Sequence, residues 1–151
     1  MLWAYFEGDS PGETPLGRVG AIVYFTTKRK MMIKYAMGQA TNNKAELSAL
    51  WATLKVARST QIQDIQIFGD SIVVVDWANG KNIIRAPHLQ HLLAEIQTLK
   101  SMFKRISFAH IYRELNAEVY SLSKQALAYQ LGLMETEEVA EGISTYRYET
   151  I

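Results

Sequence analysis

A single mixed α/β domain built on a five-stranded sheet is what this chain predicts, and three observations carry the prediction. Three β-prone segments follow one another near the start, which makes three antiparallel strands in sequence. A strongly helical run then gives way to a short apolar strand, the switch that marks a mixed sheet flanked by helices. The 151 residues are 48% hydrophobic and 21% charged, enough apolar material for one core and unlike a disordered or fibrous chain.

The elements follow in order. Leu2 to Glu7 is aromatic-rich and alternates weakly, which predicts a first strand. Gly8 to Gly17 carries Gly, Pro, Ser and Asp and predicts a loop. Val19 to Thr27 and Met31 to Gly38 are β-prone runs joined at Lys28-Arg29-Lys30, a hairpin. Asn43 to Arg58 is the clearest helix. Ala45, Leu47, Ala49, Leu50, Leu54 and Ala57 give it an apolar face, and Asn42 is the candidate cap for its first-turn amides. Ile62 to Phe68 is a fourth strand. Asp70 to Ala78 is a helix opening straight from it, broken by Asn79-Gly80-Lys81-Asn82. Pro87 to Met102 predicts another helix, Ile106 to Ile111 a fifth strand, and Glu114 to Leu131 a final amphipathic helix ended by Gly132. The division expected is a domain over 1–131 and an acidic C-terminal tail over 132–151, with a short added strand at Ile143 to Tyr148.

Composition excludes several classes of function. With no cysteine, disulfides and thiolate zinc sites are out. No apolar stretch approaches bilayer-spanning length, and the N-terminus lacks the layout of a signal peptide. The expectation is an intracellular protein, nuclear or cytoplasmic, without a membrane partner. A net charge of +1 does not announce nucleic-acid binding, so the distribution of charge matters more. Lys28, Arg29, Lys30 and Lys34 cluster early, while Glu135, Glu137, Glu138 and Glu141 make the tail acidic.

Chemistry enters at Thr41-Asn42-Asn43-Lys44-Ala45-Glu46, where a carboxylate sits one turn into a helix behind two amides. A second, Asp70, closes the apolar run Ile67-Phe68-Gly69. Two further segments stand in order with these: Tyr5-Phe6-Glu7-Gly8-Asp9-Ser10 before them, and His110-Ile111-Tyr112-Arg113-Glu114-Leu115-Asn116 running on to Tyr120 and Leu122 after them. Together the four segments resemble the signatures of the type 1 ribonuclease H family, nearest in look to the ribonuclease H domains of plant retroelements. The resemblance runs from about Leu2 to Ala128, and four ordered signatures are more specific than any one.

The resemblance implies a metal-dependent endonuclease that hydrolyses RNA in RNA/DNA hybrids, using Mg2+ or Mn2+. Cleaving a phosphodiester with water takes two hard cations about 4 Å apart, and magnesium prefers oxygen ligands. By position, Glu7, Glu46 and Asp70 are the implied catalytic metal ligands, and Tyr120 stands at the fourth ligand position. Two of the four depart from the family pattern. Glu7 replaces an Asp and adds a methylene; Tyr120 replaces another Asp, and a phenol brings no charge near pH 7. Asp9 lies two residues beyond Glu7 and could compensate, although a turn role is preferred for it. The loop histidine of bacterial members is missing, and His110 is expected to be structural or at the substrate edge. Ser10, Asn42 and Asn43 are the implied substrate contacts, the 2′-hydroxyl being what distinguishes RNA. Lys28, Arg29, Lys30, Lys34 and Arg85 are candidate phosphate contacts, with Gln39 a weaker addition. The rival reading is a catalytically degenerate module that binds nucleic acid or a protein partner. Taken singly, Glu46 could be a solvated helix acid, Asp70 an N-cap, and each basic cluster a solvated turn.

Overall fold

The computed structural model describes residues 2–10, 16–126 and 131–151. Its order is β1 (Leu2–Asp9), β2 (Leu16–Thr26), β3 (Arg29–Gln39), α1 (Asn42–Ser59), β4 (Asp64–Gly69), α2 (Ile72–Ala78), α3 (Pro87–Lys100) and β5 (Arg105–His110). A 3-10 turn (Arg113–Asn116), α4 (Ala117–Lys124), β6 (Leu133–Ala140) and β7 (Ile143–Thr150) complete it. One sheet of seven strands, in the order β5-β4-β1-β2-β3-β6-β7, replaces the five expected. Both additional strands come from the segment read as an acidic tail.

β6 escaped the sequence reading because Leu-Met-Glu-Thr-Glu-Glu-Val-Ala has little intrinsic strand character. Its neighbours make it a strand. Met134 and Thr136 are buried on one face, where Met134 joins the main core. On the other face Glu135 stands directly across from Lys34 and pairs with it at 3.2 Å. Arg29 reaches Glu138 at 2.7 Å. Two members of the basic cluster are thus paired with carboxylates of the same chain at its surface. Lys30 too is engaged, 3.1 Å from Glu118 of α4.

β1 lies between β4, to which it is parallel, and β2, to which it is antiparallel. Residues alternate across it. Ala4 and Phe6 face the main core, made with Leu47, Leu50 and Leu54 of α1 and Ile65 and Ile67 of β4. Tyr5 faces the smaller cluster in which Val119 and Leu122 of α4 pack on Ile22. Helices therefore cover both faces. Met31 and Ile33 are core, as their strand assignment required.

The last helix is shorter than its periodicity predicts. Residues 113–116 form a 3-10 turn, and α4 begins at Ala117 and ends at Lys124. The buried Asn116 side chain donates to the Phe6 carbonyl at 3.0 Å, which pins the helix entry to β1. Residues 127–130 of that predicted helix, and residues 11–15 of the predicted loop, lie outside the described residues. Among the described residues no helix is long and apolar enough to cross a membrane.

Candidate active site

The C-terminal ends of the parallel strands β1 and β4 meet where the chain order switches direction across the sheet, the usual place for a site in an open α/β sheet. Glu7 is near the end of β1, Asp70 immediately follows β4, and Glu46 comes from the second turn of α1. The structure brings all three to one cleft of about 460 Å³, which Ser10, Asn42, Asn43 and Tyr120 also line.

Gly8 lets α1 come this close. A Cβ there would overlap the Ala45 carbonyl of α1, so only glycine allows that helix turn to lie against β1. The Gly8 amide beside the Glu46 carboxylate partly offsets the effect of its burial. Gly20 has the same use on the opposite face, where a Cβ would stand 2.7 Å from the Val119 carbonyl of α4.

Thr41 caps α1, its hydroxyl accepting from the Lys44 amide at 3.1 Å, so the cap is not Asn42 as the sequence predicts. The reason is a competing partner: Asn42 Oδ1 accepts from the Ser10 amide at 2.7 Å. That bond ties the residues after β1 to the start of α1. It also leaves the Asn42 amide group as a donor, on a residue that lines the cleft. Likewise Ser71, not Asp70, caps α2 by accepting from the Val74 amide, so Asp70 has no capping duty.

The three carboxylates are costly as they stand. Glu7 and Glu46 are buried, 3% and 7% exposed, and the Asp70 side chain is 5% exposed. One oxygen of each (Glu7 Oε2, Glu46 Oε2, Asp70 Oδ2) is buried without a hydrogen-bond partner. Burial pushes Glu7 up to about 7, the neighbouring Asp9 and Asp70 charges adding to the shift and the Ser123 hydroxyl and Arg113 opposing it. Burial, then Glu7 and Asp70, hold Glu46 well above the ordinary carboxylate range. Below pH 4.5 both groups hold their protons whether the chain is folded or not. As pH rises toward 7 the unfolded chain ionises first, so the metal-free fold loses stability across that window, Glu7 alone contributing on the order of 3 kcal/mol. Thermal unfolding followed by circular dichroism in chelator should therefore show Tm falling between pH 5 and pH 7.5. Glu7→Gln should flatten that slope.

Buried carboxylates with orphaned oxygens and mutual repulsion are the donor set a hard divalent cation requires. In that respect the residues fit a metal ion. The side chains are not drawn together around one point: among the described residues no group of three or more His, Asp or Glu is disposed to hold a metal.

Asp9 continues β1 rather than forming a turn, and Arg18 engages it at 3.3 Å. It is therefore tied up by a cation and is a poor substitute for Glu7. Tyr120 lines the cleft, with the Lys124 ammonium 4.3 Å from its ring centre. His110 lies with Nε2 3.2 Å from the Asp70 carbonyl, at the edge of the site. The sequence reading passed over Arg113 as a site residue. Its guanidinium is exposed and 3.9 Å from Asp70 Oδ2. The Arg-Glu-x-Asn segment was the signal, since Asn116 docking on β1 places Arg113 at the cleft.

Comparison with known proteins agrees with this geometry. A family model described as reverse transcriptase-like matches residues 8–126. The bifunctional protein Rv2228c of Mycobacterium tuberculosis is 30% identical over 123 residues, 80% of this chain but 34% of that protein. Ribonuclease HI of Halobacterium salinarum is 30% identical over 126 residues, 82% of this chain and 63% of that one. The chain thus spans about a third of the first of these relatives. The crystal structure of the Halobacterium salinarum RNase H1 superposes with a TM-score of 0.77 at 29% identity, covering 83% of this chain and 96% of that chain. LC11-RNase H1, solved in complex with an RNA/DNA hybrid, shares the fold at a TM-score of 0.76 and 22% identity, covering 85% of this chain and 98% of that chain. With the family model spanning most of the domain, and all four signatures falling in register on the fold, the chain belongs to the reverse transcriptase-like family of ribonuclease H-like domains.

Proposed function

We propose that this protein is a metal-dependent endonuclease of ribonuclease H type, hydrolysing the RNA strand of RNA/DNA hybrids. The observation that carries the reading is the convergence of Glu7, Glu46 and Asp70 at the ends of β1 and β4, each with a buried oxygen lacking a partner. The Halobacterium relative, a ribonuclease HI, supports the same substrate class. Glu7, Glu46 and Asp70 would hold Mg2+ or Mn2+, which when bound supplies an activated water and charge stabilisation for the leaving oxygen.

The chain's own residues then bind and orient. Asn42, its oxygen held by Ser10, can only donate toward a strand in the cleft, which suits the acceptor sites of a minor groove and its 2′-hydroxyls. Asn43 and Ser10 line the same wall. Arg113 offers an exposed cation at the mouth, where a phosphate would lie.

One sequence presented as RNA/DNA hybrid, RNA duplex and DNA duplex tests the reading. Cleavage confined to the RNA of the hybrid is expected; equal cleavage of the RNA duplex would refute the substrate assignment.

A second reading, a nucleic-acid-binding or protein-interaction module that has lost the chemistry, is favoured by Tyr120. Its ring, covered by Lys124, stands where a fourth carboxylate would. The two readings separate on reversion. If Glu7 and Tyr120 impair an active site, Glu7→Asp with Tyr120→Asp should raise the cleavage rate roughly a hundredfold, the cost of about 1 Å of misplacement. No gain from the double variant would show that these positions do not limit the reaction.

A further inference from the structure

β7 is unlike the other strands. All eight of its residues are exposed, on both faces. Ile143, Tyr146 and Tyr148 are 70%, 51% and 59% exposed, a concentration of apolar and aromatic surface at one margin of the sheet. β7 is also the last strand in the order, and among the described residues nothing pairs with its outer side. Two of the devices that normally blunt such an edge, a proline and a bulge, are missing. The strand has no proline, its pairing with β6 has no register shift, and its length exceeds the usual five or six residues.

Which backbone groups are free follows from the ladder. The Ile151 amide donates to the Gly132 carbonyl at 2.8 Å, continuing the register in which Thr150 stands opposite Leu133. Odd-numbered residues of β7 therefore turn their amides and carbonyls to β6. By the alternation of antiparallel ladders, Ser144, Tyr146, Tyr148 and Thr150 turn theirs outward.

We propose that β7 is a self-association edge, pairing antiparallel with β7 of a second copy in a register centred on Tyr148. Charge selects both the occupant and the register. With Tyr148 opposite its own symmetry mate, Arg147 of each copy faces Glu149 of the other, and the outward groups of Tyr146 meet those of Thr150. Centring the pair on Arg147 would instead place two guanidinium groups opposite each other, an unfavourable cross-strand pair. Among the described residues Arg147 has no ion pair within its own chain, and Glu149 has only a long one, 3.9 Å to the exposed Lys55. Self-complementarity of this kind is what a two-fold interface needs. The strand sits at the opposite side of β1 from β4, with β2, β3 and β6 between, so pairing leaves both clefts open and does not depend on the nuclease reading.

A contact this small should be weak, so the test is sedimentation velocity of the full chain from micromolar to submillimolar concentration at low salt. The expected result is a monomer–dimer equilibrium. Arg147→Glu should weaken it at least tenfold, and the charge swap Arg147→Glu with Glu149→Arg should restore it. Tyr148→Pro removes an outward amide and spares the backbone bonds to β6, losing there only the Tyr148 hydroxyl bond to Glu135 at 3.0 Å, and should also leave monomer, with circular dichroism confirming that the fold persists. A wild-type chain that stays monomeric throughout, or a dimer indifferent to Arg147→Glu, would overturn the proposal. A swap that fails to restore pairing would overturn the Tyr148-centred register.

Discussion

Asp70→Asn should reduce cleavage of an RNA/DNA hybrid by roughly a thousandfold, the scale of losing one principal electrostatic group from a reaction centre. Hybrid affinity should stay within a few-fold of wild type. The substitution keeps shape and removes only charge, and the proposed strand contacts (Ser10, Asn42 and Asn43) are on other elements. Asp70 is free for this duty because Ser71 caps α2. Its removal also relieves repulsion on Glu46 and Glu7, so the variant should unfold at a Tm equal to or above that of the metal-free wild type near pH 7. Single-turnover cleavage and equilibrium binding on the same preparation would separate the two effects. A parallel loss of affinity and rate would mean that Asp70 acts in binding, not in the chemical step.

Gly8→Ala is the second large effect. The added methyl would overlap the Ala45 carbonyl, and a backbone atom cannot swing aside as a side chain can. Either α1 shifts off β1 or the strand bends. Overpacking of this kind costs about 3 kcal/mol, readable as a lower urea midpoint. Moving α1 also carries Glu46 away from Glu7 and from the Gly8 amide beside its carboxylate. Displacement by about 1 Å is enough to lose around a hundredfold in rate, so the surviving folded fraction should be nearly inactive. A variant as stable and as active as wild type would show that the contact does not position the site.

The elements that build the site were legible because local pattern and tertiary need agree there. The apolar face of α1, the Ile65 and Ile67 alternation of β4 and the β-prone runs of β1 to β3 each report the burial they receive. Glu46 and Asp70 could be singled out only because four ordered segments together resemble a known family; alone, each also reads as an ordinary helix acid or cap. What was lost depends on contacts made across the chain. β6 is a strand because Lys34, Arg29 and the core margin accept its alternating residues, which an acidic composition conceals. The Thr41 cap was missed because nothing in the local sequence says that Ser10 claims Asn42. The ion pairs of Arg29, Lys30 and Lys34 were hidden for the same reason, their partners Glu138, Glu118 and Glu135 being distant in sequence. Arg113 waited on the docking of Asn116 against β1.

Three buried carboxylates, Glu7, Glu46 and Asp70, are proposed to become a working metal site when a divalent cation enters. The measurement that meets it most directly is cleavage of an end-labelled RNA/DNA hybrid by the wild-type chain, with magnesium, then manganese, then chelator. Internal RNA cuts with at least one of the two metals, an intact DNA strand and no product in chelator are expected. A folded protein that binds the hybrid and yields no RNA product with either metal would contradict it.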